Sequence, residues 1–273
     1  MAHLRFFAAI LALTLPLLAP VRAAGDVQVD LELVLAVDVS LSMDLDEQRL
    51  QRDGYVAAFR DGGIHKAIQA GTLGRIAVIY VEWAGPGSHH VVLPWMPIDG
   101  PTAAEKFAEQ LENQPISRMR MTSVSGGLAF AARQFTGSGF AGTRRVIDIS
   151  GDGPNNSGGP VTEVRDDLVG QGIVINGLPI VLKPGSIAGF FDISDLDLYY
   201  RDCVIGGPGA FMIPVRHKSE FAPAIRRKLI LEISAREPEP QLRPVQEDKR
   251  APPGDCMIGE HLWRRYMDGR FRE

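Results

Sequence analysis

Cysteine is almost missing from this chain: Cys203 and Cys256 are the only two in 273 residues. There is no C-x-x-C pair and no histidine spacing suited to zinc, which excludes finger- and ribbon-type zinc modules. Also absent are the G-x-S-x-G elbow of serine hydrolases and the H-E-x-x-H of zinc proteases. Gly206-Gly207-Pro208-Gly209 is glycine-rich, but no Lys-Ser/Thr follows, so it reads as a tight connection rather than a phosphate loop. No internal repeat is evident. An excess of basic residues is lacking as well. The formal net charge is −4, which argues against nucleic acid and anionic membranes as partners.

Long apolar runs are missing everywhere except at the start. Arg5 is followed by an uncharged run from Phe6 to Ala19, interrupted by Pro16, and then by Val21-Arg22-Ala23-Ala24. The run falls short of the roughly 18–20 residues that a spanning helix needs. A positive start, a short apolar core and small residues before a cleavage point mark a secretory signal over residues 1–24. The expectation is an exported protein, periplasmic or extracellular, with no transmembrane anchor after cleavage. In such an oxidising compartment two cysteines read as one disulfide, Cys203–Cys256, closing a loop of about fifty residues.

What is present is an alternation of apolar runs and helical patterns. Strands are expected at Val29–Val37, Arg75–Trp83, His90–Met96, Arg145–Ser150, Ile173–Leu182 and Ala210–Val215. Helices are expected at Glu47–Arg60, Gly63–Ala70, Thr102–Asn113, Ser123–Phe135, Val161–Gln171 and Ser219–Ser234, with an aromatic, acidic stretch leading to Tyr200. Near-continuous Val/Ile/Leu runs indicate strands buried on both faces. Only Ala84 to His89 separate the second and third strands. A parallel crossover needs a dozen or more residues, so these two form an antiparallel hairpin, and Pro94 and Pro97 place the third at a sheet edge. The fold class is therefore α/β: doubly wound, with a mostly parallel central sheet, one antiparallel edge strand and helices on both faces. It occupies residues 25–236. Residues 237–273 read as a Pro- and charge-rich linker and a short C-terminal helix.

Within that frame the oxygen-bearing side chains gather. Asp38-Val39-Ser40-Leu41-Ser42 follows the first strand, where a carboxylate and two hydroxyls offer short-range oxygen ligands to a hard divalent cation. Asp152 lies in the glycine turn after Arg145–Ser150, and Thr122 lies at or near the start of the Ser123–Phe135 helix. In open α/β sheets ligands collect beyond the carboxyl ends of strands where the strand order reverses. Asp148, inside a strand expected to be buried, needs a hydrogen-bond partner or a proton; it is a candidate to orient the loops near the ion. Asn155 and Asn156 flank the metal loop, and either rim contact with a partner or turn formation explains them. His89-His90 are adjacent strand residues pointing to opposite faces, so they do not share one ion.

In order and type, Asp38, Ser40, Ser42, Thr122 and Asp152 resemble the metal-ion-dependent adhesion site of a von Willebrand factor A domain. The stretch Val146 to Asn156, with Ile-Asp-Ile-Ser-Gly-Asp-Gly-Pro-Asn-Asn, is similar to a bacterial exported family catalogued as domain of unknown function 1194, as is Tyr199 to Gly209. The similarity spans about residues 28 to 236. The resemblance implies a von Willebrand A-like fold and a divalent cation, Mg²⁺ first and Ca²⁺ or Mn²⁺ as alternatives. It also implies one coordination position left for an acidic group of the partner.

The expected function is accordingly a non-enzymatic, exported, metal-dependent binding module for a protein or peptide carrying an exposed carboxylate. Two alternatives come from other classes. A metal-dependent hydrolase would use the same oxygens to activate water but needs a base beside the ion. A structural subunit of an envelope complex would use the metal only to stabilise its loops.

Overall fold

The computed structural model describes residues 25–182, 193–235 and 254–270. The expected signal segment, most of the linker and part of the stretch leading to Tyr200 lie outside the described residues. Seven strands are present among them: β1 (Val27–Val29), β2 (Leu31–Asp38), β3 (Ile76–Trp83), β4 (His89–Ile98), β5 (Phe140–Gly142), β6 (Arg145–Gly151) and β7 (Ile173–Pro179). Five of them form the main sheet in the order β4-β3-β2-β6-β7. All neighbours are parallel except β3 and β4, which are antiparallel, so β4 is the expected edge strand.

Both faces of the sheet are covered. Alternate residues of β2 (Leu31, Leu33, Leu35 and Val37) pack in one cluster with Tyr55, Phe59, Ile64, Phe107, Phe221 and Leu229. These come from α1 (Leu45–Phe59), α2 (Gly62–Gln69) and α3 (Pro101–Glu112), and from α7 (Phe221–Ser234). The intervening residues Val34 and Ala36 face Trp83, Val124, Leu128, Leu168, Tyr199 and Tyr200. That second layer is built by α4 (Val124–Arg133), α5 (Val161–Gly170), the single turn α6 (Leu196–Tyr199) and a π-turn at Tyr200–Val204. A period of two along β2 therefore divides its side chains between two helical layers, which is why the strand is apolar on both faces apart from Glu32 and the terminal Asp38.

Three details differ from the sequence reading. The first expected strand is two: Asp30 separates β1 from β2, its carboxylate accepting hydrogen bonds from the Leu73 and Arg75 amides. β1 then pairs in parallel with β5 in a small ribbon of its own, three residues a side, too short to show a period. The strand expected at Ala210–Val215 runs beside β7 as isolated bridges, with Gly177 opposite Met212 and Ile180 opposite Val215. Pro179, Pro208 and Pro214 lack the amide donor that a continuous ladder requires. Finally, α8 (Ile258–Arg270) realises the expected C-terminal helix. No helix among the described residues is long and apolar enough to cross a membrane.

The connections leave β2 in opposite directions. From β2 the chain passes through α1 and α2 to β3 on one side, and after β4 it returns through α3 and α4 to β6 on the other. The carboxyl ends of β2 and β6 thus flank the point where strand order reverses, which in open α/β sheets is where the ligand crevice lies.

Candidate metal centre

Asp38 is the last residue of β2, and the loop that follows is folded by its own side chains. Asp38 Oδ1 accepts a 2.7 Å hydrogen bond from the Ser40 amide. The Ser40 and Ser42 hydroxyls lie 2.8 Å apart. Ser42 in turn donates to Asp152 Oδ1 at 2.6 Å, across from the turn after β6. Ser40, Ser42 and Asp152 therefore form one connected chain of side-chain oxygens, which Asp38 joins through the Ser40 amide. The loop ends at Asp44, which caps α1 reciprocally with Glu47: each carboxylate accepts from the other residue's amide, at 2.8 and 2.9 Å.

Thr122 reaches the same place by backbone pairing. The Met119 amide donates to the Val39 carbonyl at 2.9 Å, and the Ser123 amide donates to Ala84 at 2.8 Å. This loop is therefore sewn between the ends of β2 and β3. Met121, immediately before Thr122, has φ 68°, a left-handed conformation that costs a non-glycine residue energy. The cap of α4 is Ser123, whose hydroxyl accepts from the Gly126 amide at 3.1 Å, so Thr122 is not consumed as the cap. Its backbone is clamped by the loop carrying Asp152: the Thr122 amide donates to Asn156 Oδ1 at 3.0 Å. The Asn156 amide returns a 2.9 Å bond to the Thr122 carbonyl.

The floor of the site is sealed and its mouth is open. Asp38 is fully buried and Ser40 nearly so, whereas Ser42 and Leu41 are exposed and Asp152 is half-buried. Burial pushes the Asp38 carboxyl up to about 7, against hydrogen bonds from Ser40 and the Asp152 backbone that hold it down. Asp38 Oδ2 has no hydrogen-bond partner, and neither does the buried Tyr200 hydroxyl. Both converge on Gly151, where an added Cβ would stand 2.9 Å from Asp38 Oδ2 and 2.8 Å from the Tyr200 oxygen. Glycine is the residue that lets β6 end this close to the carboxylate. A buried carboxylate oxygen without a partner is costly. Two carboxylates and three hydroxyls are all hard oxygen donors, so the residues present fit a divalent cation, and Asp38 Oδ2 is the atom it would satisfy.

The flanking residues separate into different roles. Asp148 does not reach the metal loops. It lies 2.6 Å from Lys228 Nζ in α7, and Lys228 also pairs with Glu232, making Asp148 part of a buried structural cluster. Asn155 and Asn156 are buried and so are not rim residues. Asn155 Oδ1 accepts from the Ser125 amide at 3.1 Å, while Asn156 holds Thr122; both tie loops together. His89 stacks on Phe130 with ring centroids 4.3 Å apart, and His90 lies 3.5 Å from Glu82, so the two rings diverge as expected. Among the described residues no three His, Cys, Asp or Glu side chains gather as a metal site, here or elsewhere; the candidate site has two carboxylates and otherwise hydroxyls. The disulfide Cys203–Cys256 is present, with Cα atoms 5.5 Å apart. Sequence reasoning missed Tyr200, Gly151 and the Asp44–Glu47 box; of these only the spacing of Asp44 and Glu47 carried a local signal.

The sheet order and the helices on both faces make an α/β fold like that of von Willebrand factor A domains. The chain belongs to the family described as protein of unknown function (DUF1194), which matches residues 28–237. No curated protein matches the sequence. Among solved structures, proximal thread matrix protein 1 from the mussel byssus is similar with a TM-score of 0.54 and 12% identity, over 77% of this chain and 49% of that one. This chain thus spans about half the length of the mussel protein, which has also been solved with a zinc-occupied MIDAS motif. The pilus adhesin SpaC from Lactobacillus rhamnosus GG matches with a TM-score of 0.54 and 12% identity, over 78% of this chain and 31% of that one. The vWF domain of the pilus tip protein Mfa5 from Porphyromonas gingivalis matches with a TM-score of 0.50 and 9% identity, over 76% and 95%. At such identities the likeness is one of fold.

Proposed function

We propose that this protein is an exported binding module that captures an acidic group of a protein or peptide partner through a divalent cation, Mg²⁺ before Ca²⁺ or Mn²⁺. Asp38, Ser40, Ser42, Thr122 and Asp152 hold the ion. The observation that carries the reading is the unpartnered Asp38 Oδ2, buried beneath a connected chain of Ser40, Ser42 and Asp152 oxygens. The bound ion supplies concentrated positive charge at the mouth of the crevice. Two carboxylates would balance a divalent ion formally, but Asp38 is buried and hydrogen-bonded, and an incoming carboxylate from the solvent side is the natural further oxygen ligand. The zinc-occupied motif of the mussel protein supports the cation, and the adhesin likeness supports a protein partner. Export is supported by the apolar leader and by the Cys203–Cys256 disulfide, which is at home in an oxidising compartment. The described histidines, candidates for a hydrolase base, engage other groups: His65 the Phe59 carbonyl, His89 Phe130, His90 Glu82, His217 the Glu220 amide and His261 Asp255.

The test is a peptide array in which each Asp- or Glu-bearing sequence is paired with its Asn or Gln counterpart. Retention of the acidic member in Mg²⁺, its release by EDTA and its loss with Asp152→Ala are expected. Equal retention of the amide member, or retention in EDTA, contradicts the proposal. Peptide hydrolysis that stops with Asp152→Ala would make the protein an enzyme instead.

A further inference from the structure

The matched family region ends at residue 237, yet the structure carries a further helix that lies against the loop bearing Asp152. α8 is placed covalently by Cys203–Cys256, and the Gly254 amide adds a 2.9 Å hydrogen bond to Asp202 Oδ2. Asp255 caps its start, accepting from the Met257 amide at 2.9 Å, and Ile258 packs into the same apolar layer as Tyr199 and Tyr200. The next two residues meet the metal loop directly. Glu260 Oε1 accepts a 2.6 Å hydrogen bond from Asn155 Nδ2. Gly259 lies so close to the loop backbone that an added Cβ would stand 2.0 Å from the Asn155 carbonyl oxygen and 3.2 Å from Pro154 Cβ. Any other residue there must push the helix and the loop apart.

Asn155 is the hub through which this contact spreads. Its Oδ1 accepts from both the amide and the hydroxyl of Ser125, at 3.1 and 3.2 Å, fixing the first turn of α4 behind Thr122. Its amide donates to the Tyr199 hydroxyl at 3.1 Å, and its Nδ2 also donates to the Gly159 carbonyl at 3.2 Å. The adjacent Asn156 clamps Thr122 from both sides. The loop with Asp152 and the loop with Thr122 are therefore held in mutual register by two asparagines, and α8 holds the first of them.

We infer that Gly259 and Glu260 of α8 are positioning residues for the metal centre: they set the Asp152 and Thr122 loops through Asn155, and the Cys203–Cys256 bond keeps them in place. The inference rests on the metal reading above. Outer residues that orient ligands change metal affinity by about tenfold or more when removed, whereas a helix that merely covers apolar surface changes stability alone.

Calorimetric titration of Mg²⁺ into the full chain separates the two. Glu260→Ala and Gly259→Val are expected to weaken Mg²⁺ binding by about tenfold, as is the Cys203→Ser/Cys256→Ser pair. Glu260→Gln, which keeps the acceptor oxygen for Asn155, is expected to bind as the unaltered protein does. In EDTA, hydrogen exchange at the Asn155 and Asn156 amides should speed up in Glu260→Ala, while its melting temperature stays close to that of the unaltered chain. Unchanged Mg²⁺ affinity in Glu260→Ala and in the cysteine pair would overturn the inference and leave the metal reading standing. Absence of Mg²⁺ binding by the unaltered protein would remove both.

Discussion

Asp38 combines two properties that oppose each other in the metal-free protein: it must be ionised to hold a cation, and burial resists ionisation. Its carboxyl titrates near 4 when unfolded and is pushed up to about 7 when folded. Between those values the folded state keeps a proton that the unfolded state has lost. Stability from this group is therefore full at low pH and falls as pH rises through the window, levelling above about 7. A bound cation reverses the preference, because it favours the carboxylate. The Mg²⁺-induced rise in melting temperature is thus expected to be larger at about pH 8 than at about pH 5.5, and Mg²⁺ binding below about pH 7 should release a proton. Calorimetry in buffers of different ionisation enthalpy reads that proton. Binding with no proton release and no pH dependence would contradict the burial of Asp38. Glu232, also pushed up to about 7 by burial and by Asp148, keeps its own share of the metal-free slope when Asp38 is changed to Asn.

Between elements, a buried polar cluster joins β6, β7 and α7. Lys228 is wholly buried and serves both Asp148 and Glu232, while Asn176 of β7 donates to Glu232 Oε1 at 3.0 Å. Lys228→Met strands two buried carboxylates and is expected to cost about 3–5 kcal/mol, read as a lower urea midpoint at unchanged slope. The triple change with Asp148→Asn and Glu232→Gln should recover much of that loss; a single variant as stable as the parent would contradict the pairing. The same cluster shows what the sequence could and could not disclose. The doubly wound sheet was legible because β2, β3, β6 and β7 are buried on both faces and carry near-continuous apolar runs, and because six residues between two strands allow only a hairpin. The partner of Asp148 was not legible, since it comes from a helix 80 positions further along the chain. A lysine and a glutamate four apart in α7 read on their own as a solvated pair. Likewise Asp38, Ser40, Ser42, Thr122 and Asp152 were legible as residue types at strand ends. The asparagine latches and the approach of Gly151 to Asp38 depend on tertiary distances that no spacing encodes.

At the scale of the whole molecule, strand order brings three oxygen-bearing loops to one crevice, where the proposed ion would bind. The sheet sets the crevice at the ends of β2 and β6, the two asparagines register the loops, and the disulfide-anchored α8 closes the structure behind them. The central claim is that the gathered oxygens bind a cation. A ligand stabilises only the state that binds it, and at a hundredfold excess over Kd this amounts to about 2.7 kcal/mol, or roughly 5–10 °C for a chain of this size. The most direct test is the thermal melting of the unaltered protein and of Asp38→Ala, each with Mg²⁺ and with EDTA. A rise of that order in the unaltered protein and none in Asp38→Ala is the predicted result. Equal shifts in both proteins, or no shift in either, would contradict the account.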